Sequence, residues 1–161
     1  MHTLLKFLYS LSISLWVGGI FFLAFFAAPS IFKILPRERA GDVVSDIFPK
    51  YYALSYICGI IALTSFIIIW YKQGFSSSPV NILQIAILVV MLGLAVYAGE
   101  VNRPKTHEAR TELRRSHETS QNYAEISAKF RKLHKISAAT NSIVLLLGIA
   151  ILYIHAYNIR E

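Results

Sequence analysis

Four stretches of the chain contain no Asp, Glu, Lys or Arg: Phe7–Phe32, Tyr51–Tyr71, Gln73–Gly99 and Ile136–Ile159. A helix needs about 20 predominantly apolar residues to cross the hydrocarbon core of a bilayer, and each stretch supplies them. The third opens with the turn-forming run Gly74-Phe75-Ser76-Ser77-Ser78-Pro79, so its span starts near Val80. Backbone groups in lipid must be satisfied within their own segment, and the alternation of a membrane β-barrel is absent. The pattern predicts an all-α fold in one domain, 1–161, with four transmembrane helices at about 7–32, 51–71, 80–99 and 136–159. A cleaved signal peptide fits the first stretch poorly. Its apolar run is about twice a normal h-region, and Lys6 is its only basic lead.

The connections carry patterns of their own. Ala40, Val43, Val44, Ile47 and Phe48 recur at helical spacing, with Glu38, Arg39, Asp42 and Asp46 opposite. This predicts a short amphipathic helix over about 37–48 lying in the membrane interface, begun at Pro36 and stopped by Pro49. Tyr51 and Tyr52 follow as headgroup-depth anchors. The connection Glu100–Lys135 is long and charged. It predicts solvated extensions of helices three and four, broken around Ser116–Gln121, with Glu125 and Lys129 as an i,i+4 pair.

Composition sharpens this picture. Hydrophobic residues make up 55% of the chain and charged ones only 16%, against roughly 25% charged in soluble domains. With a single cysteine as well, a disordered chain, a disulfide scaffold and a typical soluble enzyme are excluded. The net charge of +7 is unevenly placed. Lys33, Arg37, Arg39 and Lys50, with nine more between Arg103 and Lys135, put thirteen of the sixteen basic residues on one side of an even-span bundle. The positive-inside rule predicts a cell (inner) membrane protein with that side cytoplasmic and both termini outside. The partner implied by the basic patch is anionic lipid at the cytoplasmic face, not nucleic acid.

Several polar and small residues lie within or beside the spans. Ser10, Ser14 and Gly18 share one face of the first helix; Ala95 and Gly99 pair on the third; Gly148 sits between Leu145 and Leu152 on the fourth. Such faces let helices approach closely. Trp16 is mid-span, and its indole N–H needs an acceptor, for which one of the serines is a candidate. His134, Ser137 and Asn141, at i, i+3 and i+7, share a face at a depth similar to Glu100 and Asn102. With Trp16 nearby, these residues form either a hydrogen-bonded staple between helices or a ligand, proton or metal site. No metal ligand set is predicted. His134 and His155 lie about 31 Å apart along a helix; His2 and His155 could meet at the outer end; His107 and His117 sit in the charged connection without cysteines; Cys58 is alone. The His-Glu-x-x-His, Gly-x-Ser-x-Gly and phosphate-loop motifs are all absent.

Leu15-Trp16-Val17-Gly18-Gly19, Ala28-Pro29, Leu35-Pro36-Arg37, Gly41-Asp42-Val43-Val44, Phe48-Pro49-Lys50-Tyr51, Val101-Asn102 and Phe130–Ser137 with Asn141 together resemble the transmembrane protein 205-like family of small four-helix membrane proteins. The resemblance runs from Leu11 to about Leu147 and implies the same architecture. It adds Trp16, Gly19, Pro49, Tyr51, Asn102, His134, Ser137 and Asn141 as matching positions, and it brings no activity with it. The Trp-Val-Gly-Gly string is also similar to part of copper-resistance-type and haem-binding four-helix families. Those place a histidine about two turns before the tryptophan, where this chain has Phe7-Leu8-Tyr9-Ser10. Haem and copper are therefore disfavoured, and no cofactor is expected.

The function expected from the sequence is that of a non-enzymatic helix-packing or accessory subunit, forming a homo-oligomer or joining a larger membrane complex. The alternative is a small transporter or cofactor-binding protein using Glu100, His134 and Asn141. Inverted repeats, the usual mark of a transporter, are not evident between the halves.

Overall fold

The chain is described by a computed structural model covering residues 2–75, 78–116 and 122–158. Among these residues, four helices are long and apolar enough to cross a membrane: α1 (Thr3–Ile34), α2 (Arg37–Lys72), α3 (Pro79–Arg115) and α4 (Tyr123–Ala156). At 1.5 Å per residue each is roughly 50 Å long, well beyond the ~30 Å hydrocarbon core. Each helix packs on its neighbours in sequence, and α4 closes back onto α1. The result is an up-and-down bundle with a basic end, where the two charged connections lie, and a terminal end.

Periodicity decides which face turns inward. Tyr9, Ile13, Trp16 and Ile20 of α1 recur every three or four residues and are buried, as are Cys58, Ala62 and Phe66 of α2. Leu88, Met91 and Ala95 of α3 meet Val144 and Ile151 of α4 in the same core. Large apolar side chains on the other faces, among them Phe21, Phe22, Ile57, Val89, Val90, Leu146 and Ile149, are exposed. That arrangement suits lipid as the surrounding solvent, and the protein is an integral, multi-pass membrane protein.

Two helices contain a π-turn, Leu23–Ala27 in α1 and Tyr97–Asn102 in α3. Each precedes a proline, Pro29 and Pro104 respectively. Proline lacks the N–H that would reach the carbonyl four residues back, and its ring crowds that carbonyl. Those carbonyls belong to Phe25 and Glu100, inside the two π-turns. The wider turn therefore absorbs the proline without ending the helix.

α2 departs from the sequence expectation. The amphipathic segment 37–48 is not a separate helix; it forms the first turns of α2, with Pro49 inside the helix. Proline removes one backbone bond there, a local cost of about 3 kcal/mol. However, the buried seam Ala40, Val44, Tyr51, Tyr52, Ser55 and Cys58 runs straight through the position. Packing on both sides of Pro49 outweighs the local rule. Tyr51 and Tyr52 are 7% and 3% exposed, so they belong to the core and are not interfacial anchors.

The glycines give a direct test of this packing. A Cβ on Gly148 would collide with Val17 and come within 3.3 Å of Met91 Cε, whereas one on Gly18 would meet nothing within 4 Å. Gly148→Leu is expected to destabilise the bundle by about 1–3 kcal/mol, the usual cost of overpacking. Gly18→Leu is expected to stay within about 0.5 kcal/mol of the parent. Unfolding of both variants in mild detergent checks the contrast.

Candidate functional site

At the basic end the helix extensions are tied by one arginine. Arg110, on the solvated part of α3, reaches across to the first turns of α2. Its Nη1 donates to Gly41 O and Ser45 Oγ, both at 2.7 Å; its Nη2 donates to Glu38 O at 2.8 Å and Asp42 Oδ1 at 3.1 Å. The side chain is only 15% exposed. Arg114, one turn on, adds a bond to Glu38 O at 2.8 Å and an ion pair with Asp42 at 2.8 Å. A Cβ at position 41 would overlap the Arg110 guanidinium, so any larger residue there displaces that group from its acceptors. The hydrogen bond from Arg114, reinforced by Arg110, holds the Asp42 carboxyl below the ordinary carboxylate range. On the other flank Lys129 pairs with Glu112 of α3 at 3.5 Å, not with Glu125 as its spacing suggests. The contact between α3 and α4 overrides the local i,i+4 rule.

The polar residues singled out by sequence separate into distinct links. Asn102, 1% exposed, donates through Nδ2 to Leu133 O at 3.0 Å and Ser137 Oγ at 2.6 Å, stapling α3 to α4. Asn141 lies near the Tyr52 hydroxyl of α2 without a completed hydrogen bond, and it lines the second cavity described below. Glu100 points elsewhere and accepts a bond from Tyr56 Oη at 2.9 Å, joining α3 to α2. His134 is exposed and stacks on Phe130 at 6.2 Å. Trp16 is buried below them. Its Nε1 faces the Tyr51 hydroxyl without completing a hydrogen bond, and no serine serves it. Of the small residues, Ala95, Gly99 and Gly148 are buried, whereas Ser14 and Gly18 are exposed. Ser10 donates to Lys6 O at 2.9 Å and meets His155 Nε2 at 2.8 Å, at the terminal end. His155 also lies edge-on to Tyr9; the side chain of His2 and all of His117 lie outside the described residues. Among the described residues, no three of His, Cys, Asp and Glu gather as a metal site.

Two cavities open between these links. One, of about 130 Å³, lies among Phe32, Val44, Phe48 and Phe130, with Arg103, His107, Arg110 and His134 supplying its polar wall. The second, of about 280 Å³, is lined by Ile20, Leu23, Ala24, Phe25, Ala28 and Leu145, with Ser142 and Asn141. Phe48, His134 and Ser137 line both, so the cavities adjoin. The π-turn of α1 contributes Leu23, Ala24 and Phe25 to the second wall. Arg103 donates through Nε to Gly99 O at 3.0 Å and enters no ion pair among the described residues. His134, Ser137 and Asn141, which share a face by their spacing, all line these cavities, whereas Arg103 and the phenylalanines on the walls carry no such spacing signal. The available signal for Arg103 was its place beside Pro104, where the span gives way to the extension.

The arginine tie makes a clear prediction. Arg110→Met is expected to cost about 2–3 kcal/mol, the worth of the charge-assisted hydrogen bonds of one buried group. Arg110→Lys is not expected to restore it, since a point charge cannot reach the same acceptors. Gly41→Ala should mimic the loss, and the double variant should fall well short of additive, as denaturant titration would show. Because the folded-state pKa of Asp42 is depressed, its contribution is present at neutral pH and is lost on acidification through the carboxylate range.

A family model described as "Domain of unknown function (DUF4149)" matches residues 11–115. An uncharacterized protein of Aquifex aeolicus (strain VF5) is 28% identical over 135 residues, covering 84% of each chain. No solved structure matches. The matched region runs from within α1 to the end of α3, and it contains Gly41, Asp42, Arg103, Arg110 and Arg114. This four-helix membrane protein therefore belongs to the DUF4149 family, a domain of unknown function.

Proposed function

We propose that the protein is a non-enzymatic, ligand-binding membrane protein whose site is the paired cavity at the basic end of the bundle, and that this end faces the cytoplasm. The observation that carries the proposal is the wall of Phe48, His134 and Ser137 shared by a cation-lined cavity and an apolar one. Asn102, Ser137 and Glu100 are engaged in links between helices, which leaves His134 and Asn141 as the cluster residues on the cavity walls that can meet a ligand. The placement of thirteen of sixteen basic residues at this end supports the orientation. The resemblance to the transmembrane protein 205-like family fits the same architecture and adds no activity.

A second reading, a helix-packing or accessory subunit, has its own observation. Ser14 and Gly18 leave a bare strip of α1 in mid-span, and no neighbouring helix covers Gly18. A second helix could approach closely there.

One experiment separates the two. Native mass spectrometry of protein extracted in mild detergent is expected to show a retained small molecule, absent from Ser142→Trp, whose side chain would fill the apolar cavity. A parent protein with no retained species, together with a disulfide-linked dimer of Gly18→Cys, would sink the ligand-binding reading in favour of the packing one.

A further inference from the structure

We infer that the paired cavity holds one anionic phospholipid of the leaflet at the basic end, with its phosphate beside Arg103 and an acyl chain in the apolar cavity. The inference rests on the ligand-binding reading above and names the ligand class.

The charges of the site are the starting point. Neither cavity is lined by a carboxylate. Asp42 and Glu38 are taken up by Arg110 and Arg114, and Glu100 faces Tyr56. Arg110 is thereby offset, and Arg103 is left as the cation without a counter-ion, its Nε on Gly99 O and its Nη groups directed to no acceptor among the described residues. His107 and His134 add ring nitrogens to the same wall. An unpaired guanidinium beside two imidazoles suits a phosphate oxyanion.

Depth and shape then narrow the source of that anion. Arg103 lies just past the apolar stretch that ends at Gly99, which is headgroup depth for α3. The adjoining cavity runs toward the bilayer centre along Leu23, Ile20 and Leu145. Ala24, Phe25, Ala138 and Ser142 on its rim are exposed, so it opens sideways between α1 and α4 into the region lipid occupies. A free phosphate would leave the apolar cavity unfilled, and a wholly apolar molecule would leave Arg103 without a partner. A phospholipid satisfies both.

The test uses the full-length protein in nanodiscs of equal parts phosphatidylcholine and phosphatidylglycerol. After mild detergent extraction, native mass spectrometry counts the retained lipid. Phosphatidylglycerol is expected to be retained over phosphatidylcholine. Arg103→Gln is expected to lower that preference about fivefold, the weight of one basic residue against an anionic membrane. Arg103→Lys should keep most of it, and Arg131→Gln, outside both cavities, should leave it unchanged. Thermal unfolding confirms that each variant is folded. Ser142→Trp should abolish retention of either lipid, which bulk lipid around the protein would not do. Millimolar inorganic phosphate should displace nothing. Equal retention of the two lipids, loss of preference in Arg131→Gln, or displacement by inorganic phosphate would overturn the lipid assignment. A retained molecule that is not a phospholipid would overturn it too, while leaving the ligand-binding reading standing. An empty parent protein would overturn both.

Discussion

Apolar helices surrounded by lipid have little hydrophobic reason to associate, since acyl chains are as apolar as leucine. The bundle must therefore be held by close packing and by polar links between helices. Both are visible and both are unevenly placed. The middle and terminal parts rest on small residues and interdigitated side chains, as where Gly148 receives Val17 and Met91. The basic end rests on hydrogen bonds: Asn102 to Leu133 and Ser137, Tyr56 to Glu100, and Arg110 to the first turns of α2. The paired cavity lies at this same end, beside those links.

The tie made by Arg110 has consequences along the chain. By holding Gly41 and Ser45 it keeps the amphipathic segment upright as the start of α2, so that Val44 and Phe48 face inward and help to wall the cavity. Had Pro49 ended that segment, Phe48 would lie flat in the interface and the cavity would lose one side. The two π-turns act in the same region. One places Leu23, Ala24 and Phe25 along the apolar cavity, and the other ends at Asn102, the staple to α4, next to Arg103, whose Nε bonds Gly99 O.

Much of the architecture was legible in the sequence, because apolar length and charge placement are constraints that lipid imposes directly. The four spans and the extensions of helices three and four follow from them. What was not legible depends on contacts across the bundle. Pro49 obeys a local stop rule that the buried seam of α2 overrides, and Lys129 prefers Glu112 on another helix to Glu125 on its own. His134, Ser137 and Asn141 share a face, as their spacing requires, yet each has a different neighbour: Phe130, Asn102 and Tyr52. Periodicity identifies the face of a helix and is silent about what stands opposite. Tyr52 and Tyr56 show the same limit, since nothing in their spacing indicates that they stand beside Asn141 and Glu100.

α2 is one helix through Pro49, and Arg110 holds its first turns upright as a wall of the candidate site. Hydrogen–deuterium exchange of the protein in nanodiscs reads this continuity residue by residue. Slow exchange is expected for the amides of residues 40–48, comparable with those early in the apolar part of α2, with a selective rise over 40–48 in Arg110→Met while the membrane-spanning amides stay protected. Rapid exchange over 40–48 in the parent protein, with protection beginning only after Pro49, would contradict it.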